Sequence, residues 1–166
     1  MSADIPQILP AVNAVLVEET GLGRFQVEAR AGSATFLIDE PTTVGGLGSG
    51  PNPYDLLAAA LGACTTMTLR LYANKKAWPL AKVRVSVVHN RDALTARDAF
   101  EAQVTLEGDL DAAQRARLMQ IAERCPVHLS LTRGADVHTS LIEPAAAAQP
   151  STGPQHMKNM EEACEE

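Results

Sequence analysis

Tyr54-Asp-Leu-Leu-Ala-Ala-Ala-Leu-Gly-Ala-Cys-Thr-Thr-Met-Thr-Leu-Arg-Leu-Tyr-Ala73 decides how this chain is read. The segment reads as one long helix. Asn52 is a good N-cap, Pro53 suits the first helical position, and Asp55 lies near the positive end of the dipole. Lys75 and Lys76 complement the other end. Apolar residues occupy nearly every side through Thr68, so the helix is expected to be central and buried. Cys64 shares a face with Leu57, Ala60, Leu61, Thr68 and Leu71 and points into the core. A buried thiol is ordinarily inert packing, but two that fold together can cycle between dithiol and disulfide. Cys64 lies about three turns from the helix start, beyond reach of the dipole. A reactive Cys64 therefore needs a cation from elsewhere in the chain or from a partner subunit.

Upstream, residues 8–19, 24–30 and 34–38 read as three strands separated by Thr20-Gly-Leu-Gly23 and Gly32, an antiparallel meander. Gly45-Gly-Leu-Gly-Ser-Gly-Pro-Asn-Pro53 is too rich in Gly and Pro to be regular and reads as a flexible crossing segment. An anion site there lacks the Lys-Ser/Thr of a phosphate loop.

Downstream, Lys82–His89 and Phe100–Glu107 alternate as paired strands across a polar loop. Asp111-Ala-Ala-Gln114 reads as a capping box opening a second helix through Arg124. Residues 125–132 read as a short third helix, and Ala135–Ile142 as a closing strand. The order βββ-α-ββ-α-α-β is α+β with antiparallel strands. One domain is expected over residues 1–143, with residues 144–166 a disordered acidic tail.

Cys125 is the second thiol of interest. Leu118, Ile121, Ala122 and Cys125 continue one buried stripe. Cys125 also stands just before Pro126, at the N-cap of the third helix, where backbone N–H groups favour a thiolate. Of the two thiols it has the better built-in activation. Cys164 falls in the expected tail and reads as incidental. Zinc is a rival through Cys125-x-x-His128 with His138, but zinc ordinarily wants four ligands in paired clusters. His89 reads as a satisfied strand histidine.

The composition limits the partners. The chain has 166 residues and a net charge of −6, with a pI near 5.2, which argues against nucleic acid or an anionic membrane surface. No signal peptide is evident, and the apolar run 56–69 is shorter than the ~20 residues of a membrane span. Three cysteines do not make a disulfide scaffold. The expectation is a cytoplasmic protein whose cysteine pair is catalytic, redox-sensing or metal-binding rather than structural.

Gly50-Pro-Asn-Pro-Tyr-Asp-Leu-Leu-Ala-Ala-Ala-Leu-Gly-Ala-Cys-Thr-Thr-Met-Thr-Leu-Arg-Leu-Tyr-Ala73 resembles the central helix of the OsmC/Ohr family. Cys125-Pro-Val-His128 is similar to that family's second cysteine motif, and the strand order fits over residues 8–143. The resemblance implies an OsmC-like fold with antiparallel sheets wrapped around a central helix in an intertwined homodimer. It implies a thiol-dependent peroxidase reducing organic hydroperoxides, with Cys64 attacking, Cys125 resolving, an external dithiol restoring both, and no metal or organic cofactor needed. It also implies an arginine from the N-terminal strands beside the thiolate. Arg24 is the best match and Arg30 the second. In the family's peroxidases a glutamate that directly follows the proline holds this arginine. Here that position is Tyr54, with Asp55 the neighbouring carboxylate. A non-catalytic OsmC-fold dimer, serving as a redox sensor or binding a small apolar ligand, is the alternative.

Overall fold

The computed structural model describes residues 13–93, 96–141 and 151–165. These residues pack as two compact units, where the sequence suggests one domain and a tail.

The first unit holds residues 13–52, 138–141 and 151–153. It is built on strands β1 (Val15–Glu19), β2 (Val27–Ala31) and β3 (Ala34–Ile38), hydrogen-bonded antiparallel in that order. Gly32 makes the β2–β3 turn at a positive φ, a conformation glycine adopts without steric cost. The register aligns Val17, Ala29 and Phe36 across one face of the meander. Ala29 is buried, but Val15 is 60% exposed, and Val17 and Phe36 are exposed as well.

The glycine-rich segment after β3 is ordered, contrary to the flexible crossing expected. Asp39, itself buried, accepts from Leu47 N–H at 2.9 Å, Ser49 N–H at 3.2 Å and Ser49 Oγ at 2.9 Å. Burial works against the Asp39 charge, yet the donors of Ser49, Glu40 and Leu47 outweigh it and hold the carboxyl below its ordinary range. Gly46 packs so closely that a Cβ there would sit 1.9 Å from the Glu40 carbonyl oxygen.

The second unit holds residues 53–93, 96–137 and 154–165. Helix α1 (Pro53–Lys75) lies against the hairpin of β4 (Leu80–Asn90) and β5 (Ala99–Gly108), and against α2 (Ala112–Ala122). Val83, Val85, Val87 and His89 pair with Leu106, Val104, Ala102 and Phe100 on one face of the hairpin, as period-two alternation requires. The capping box forms: Asp111 accepts from Gln114 N–H at 2.7 Å, and Gln114 accepts from Asp111 N–H at 3.0 Å. Leu69, Tyr72, Ala73, Leu80, Leu118 and Ile121 form the main core. Helix α3 (Pro126–Arg133) follows with Cys125 at its N-cap.

Several expectations change here. α1 buries only one face, Leu61, Cys64, Thr65, Thr68, Leu69, Tyr72 and Ala73. Among the described residues its far side is open, with Met67 52% exposed. The helix also runs well past the apolar stretch 56–69. By length and composition it meets the requirement for crossing a bilayer, although 44% of the window that qualifies is buried inside the protein. Its packing on the hairpin and α2 accounts for that apolarity in a core helix.

Residues 135–141 form no strand; Leu141 is fully exposed, and no described strand offers this segment the ladder partner it needs. Ile142 lies outside the described residues. Of the expected disordered tail, residues 144–150 also lie outside them, but Gln155–Ala163 is a helix, α4. It docks through Met160, Ala163 and Cys164, all buried, against α1 and α3. Cys164 is therefore part of the core, its S–H directed to the Thr68 carbonyl at 3.7 Å.

Candidate active site

Cys64 comes from the middle of α1 and Cys125 from the junction of α2 and α3. The stripe Leu118, Ile121, Ala122 carries the chain end of α2 into the core, and Pro126 then forces a new helix. The two thiols meet in a small apolar cluster with Leu61, flanked by Val87, Phe100, Val127 and Leu131. Both are free and buried, Cys64 at 2% and Cys125 at 0% exposure.

Their surroundings are unequal. Cys125 Sγ accepts from the His128 N–H at 3.3 Å, as an N-cap does, and lies 3.5 Å from the Thr65 hydroxyl. The Cys64 thiol adds the strongest hydrogen bond, and Thr65 and the His128 N–H reinforce it. Together they overcome burial and hold Cys125 down to about 6. Cys64 shifts the other way, raised chiefly by its hydrogen bond with Cys125 and then by burial, and eased only in part by the Val127 N–H at 3.4 Å. The shared hydrogen bond thus favours the thiolate on Cys125 and the proton on Cys64. His156, at the start of α4, closes the far side of Cys64 with Nε2 3.2 Å from the sulfur.

A second constellation lies at the start of α1. The Tyr54 ring stacks on His89 at 4.2 Å, nearly parallel, and the Tyr54 hydroxyl accepts a hydrogen bond from Arg91 Nη2. Asp98 grips the same guanidinium through both oxygens, at 2.8 Å from Nε and 2.7 Å from Nη2, and takes His89 Nε2 at 2.7 Å. Arg91, then His89, hold the Asp98 carboxyl down to about 2.

A folded carboxylate with a depressed pKa contributes stability above its unfolded value of about 3.9 and loses it as pH falls. The Tyr54–Arg91–Asp98 clamp is accordingly expected to stay intact down to about pH 4 and to release as pH falls toward 2. NMR titration of the Asp98 carboxyl carbon reads this directly. A midpoint near the ordinary carboxylate value would contradict the clamp.

Cavities of about 290 Å³ and 200 Å³ open beside these groups. Leu61, Phe100 and His128 line both. The larger also takes Arg97, Asp98 and Leu131, and the smaller Thr65, whose hydroxyl meets the Cys125 sulfur.

Cys64 and Cys125, singled out in the sequence, are thus brought together. Arg24 belongs to the first unit, its guanidinium over the Phe25 ring, and Arg30 pairs there with Glu18 and Glu28. Asp55 lines an open trough with Ala58, Ala59, Gly62, Met67, Val85 and Val87. The sequence reading missed Arg91, Asp98 and His156. Tyr54 in a carboxylate's position was a signal for an arginine partner, and Met157, Met160 and Cys164 at helical spacing were one for α4. Among the described residues no cluster of three or more His, Cys, Asp or Glu side chains has the arrangement of a metal site.

An α+β domain with two thiols meeting between a long core helix and a short capped one defines a recognisable class. The chain belongs to the OsmC family: the family model described as OsmC-like protein matches residues 46–140. Several solved structures share the fold. An organic hydroperoxide resistance protein OsmC from Legionella pneumophila is 23% identical with a TM-score of 0.55, the match covering 71% of this chain and 87% of that one. An OsmC-like protein from Mycoplasma pneumoniae is 17% identical with a TM-score of 0.61, covering 72% and 86%. A Psychrobacter arcticus protein assigned to osmotic stress and detoxification response is 23% identical with a TM-score of 0.62, covering 70% and 85%. No curated protein matches the chain.

Proposed function

We propose that this protein is a thiol-dependent peroxidase that reduces organic hydroperoxides through Cys64 and Cys125. The observation that carries the reading is the buried contact of two free thiols, Cys64 in the middle of α1 and Cys125 at the N-cap of α3. Membership of a family with relatives named organic hydroperoxide resistance proteins supports it. The Cys64 sulfur attacks the terminal peroxide oxygen, the O–O bond breaks, and Cys64 becomes a sulfenic acid while the alcohol leaves. The Cys125 thiolate then attacks the Cys64 sulfur, forming the disulfide and releasing the oxygen as water once protonated. An external dithiol restores both thiols. The apolar walls given by Leu61, Phe100 and Leu131 favour an alkyl or aryl hydroperoxide over hydrogen peroxide, because the organic part gains burial there.

The same proposal includes a homodimer in the cytoplasm. The open side of α1 and the exposed Val15, Val17 and Phe36 of the meander are apolar surface of the kind that a second copy covers.

A second reading, a non-catalytic redox sensor or apolar-ligand protein of the same fold, draws on Tyr54. Its arginine partner, Arg91, is committed to Asp98 rather than offered to a thiolate. Consumption of cumene hydroperoxide in the presence of a dithiol reductant separates the two: steady turnover supports the peroxidase, and reversible thiol oxidation without turnover supports the sensor.

A further inference from the structure

Both thiols lie away from bulk water. Cys125 is fully enclosed and Cys64 nearly so, yet the proposed chemistry must take a proton from Cys64 and deliver one to an alkoxide. α4 supplies the link. His156 is exposed to solvent, while its Nε2 stands 3.2 Å from the Cys64 sulfur. α4 is held where it is by Met160, Ala163 and Cys164 in the core and by Lys75 Nζ on the Glu161 carbonyl at 3.4 Å. His156 lies outside residues 46–140, the stretch that matches the family, so the family pattern assigns it nothing.

We propose that His156 is a catalytic residue, the acid–base group that carries the Cys64 proton. This inference rests on the peroxidase reading. As the sulfur of Cys64 bonds to the terminal peroxide oxygen, its proton passes to His156 Nε2. The O–O bond breaks, the former terminal oxygen stays on sulfur as S–OH, and the proton passes from Nε2 to the departing alkoxide. Thiol and hydroperoxide become sulfenic acid and alcohol, with no change in total charge. Because the proton leaves as the S–O bond forms, the buried pair never holds two negative charges, which desolvation would oppose. The hydroxide expelled when Cys125 closes the disulfide is protonated from solvent by the same imidazole.

Among the described residues, few titratable groups face Cys64. Cys125 and, through it, His128 come from α3 and its N-cap, and His156 from α4. β4 and β5 present Val87 and Phe100, and α1 adds the uncharged Thr65 and Thr68. Of these imidazoles, His156 is the one in direct contact with the Cys64 sulfur.

The test compares wild type, His156→Gln and Met160→Ala. Peroxide turnover is measured against pH, and Cys64 alkylation by iodoacetamide is followed by peptide mapping. His156→Gln is expected to lower turnover by about 100-fold, the lower end for loss of a general acid–base group. It should also remove one limb of the pH profile and slow Cys64 alkylation, with the melting temperature unchanged. Met160→Ala loosens α4 and should slow alkylation as well, since the base is no longer delivered. Were α4 a passive cover, both variants would instead speed alkylation, and that result overturns the proposal. Unchanged alkylation and pH profile in His156→Gln overturn it too. If the wild type turns over no peroxide, the peroxidase reading fails separately, and the alkylation profile still decides whether His156 takes the Cys64 proton.

Discussion

Cys64→Ser is expected to abolish hydroperoxide turnover, whereas Cys125→Ser completes one reduction and stops as a sulfenic acid that dimedone traps. The buried pair adds a less obvious expectation. The hydrogen bond with Cys125 is the largest influence raising Cys64, and the Cys64 thiol is the largest lowering Cys125. Removing the thiolate in Cys125→Ser therefore lets Cys64 fall back toward an ordinary thiol. Its alkylation at neutral pH should become faster than in the wild type, even though turnover is lost. Cys64→Ala acts in the opposite sense: Cys125 loses its main donor and should alkylate more slowly. Iodoacetamide labelling between pH 5 and 9 with peptide mapping checks both directions. Two independent thiols would give identical profiles in wild type and single variants.

Leu118→Ala carries the largest expected loss of stability. Leu118 is fully buried in the cluster of Leu69, Tyr72, Leu80 and Ile121. Truncating such a leucine costs about 2–5 kcal/mol, depending on how far the surroundings collapse. That is a large part of the roughly 5–15 kcal/mol that holds a domain of this kind. The side chain also begins the stripe that ends at Cys125, so a loosened α2 is expected to expose the thiol and speed its alkylation before global unfolding. Urea titration measures the first effect and thiol labelling in the native baseline the second. A loss under about 1 kcal/mol would mean that α2 is not packed as described.

Elements governed by local chemistry were legible from residue types alone. Pro126 after the buried stripe placed Cys125 at an N-cap. Asp111 and Gln114 announced their reciprocal cap, and Gly32 marked the β2–β3 turn. The pairing of Cys64 with Cys125 came from the family resemblance, since the residues by themselves showed only that each thiol points into the core.

What stayed hidden depends on distant partners. Arg91, just past the end of β4, reaches Tyr54 at the start of α1, and nothing near either residue fixes that pairing in advance. Asp39 orders the glycine-rich segment through donors that only the folded loop brings together, so its Gly and Pro content suggested flexibility. The Pro- and Ala-rich stretch before α4 masked a short amphipathic pattern whose stability comes from docking rather than propensity. Alternation over Ala135–Leu141 suggested a strand, but alternation alone supplies no ladder partner.

The central claim is that Cys64 and Cys125 form one redox couple. Its most direct measurement is peptide mapping of the full chain after a single equivalent of cumene hydroperoxide, with free thiols alkylated under denaturing conditions. The expected result is a Cys64–Cys125 disulfide in nearly stoichiometric yield, with Cys164 recovered as the alkylated thiol. Oxidation confined to Cys164, or peroxide consumed with Cys64 and Cys125 both recovered as thiols, would contradict it.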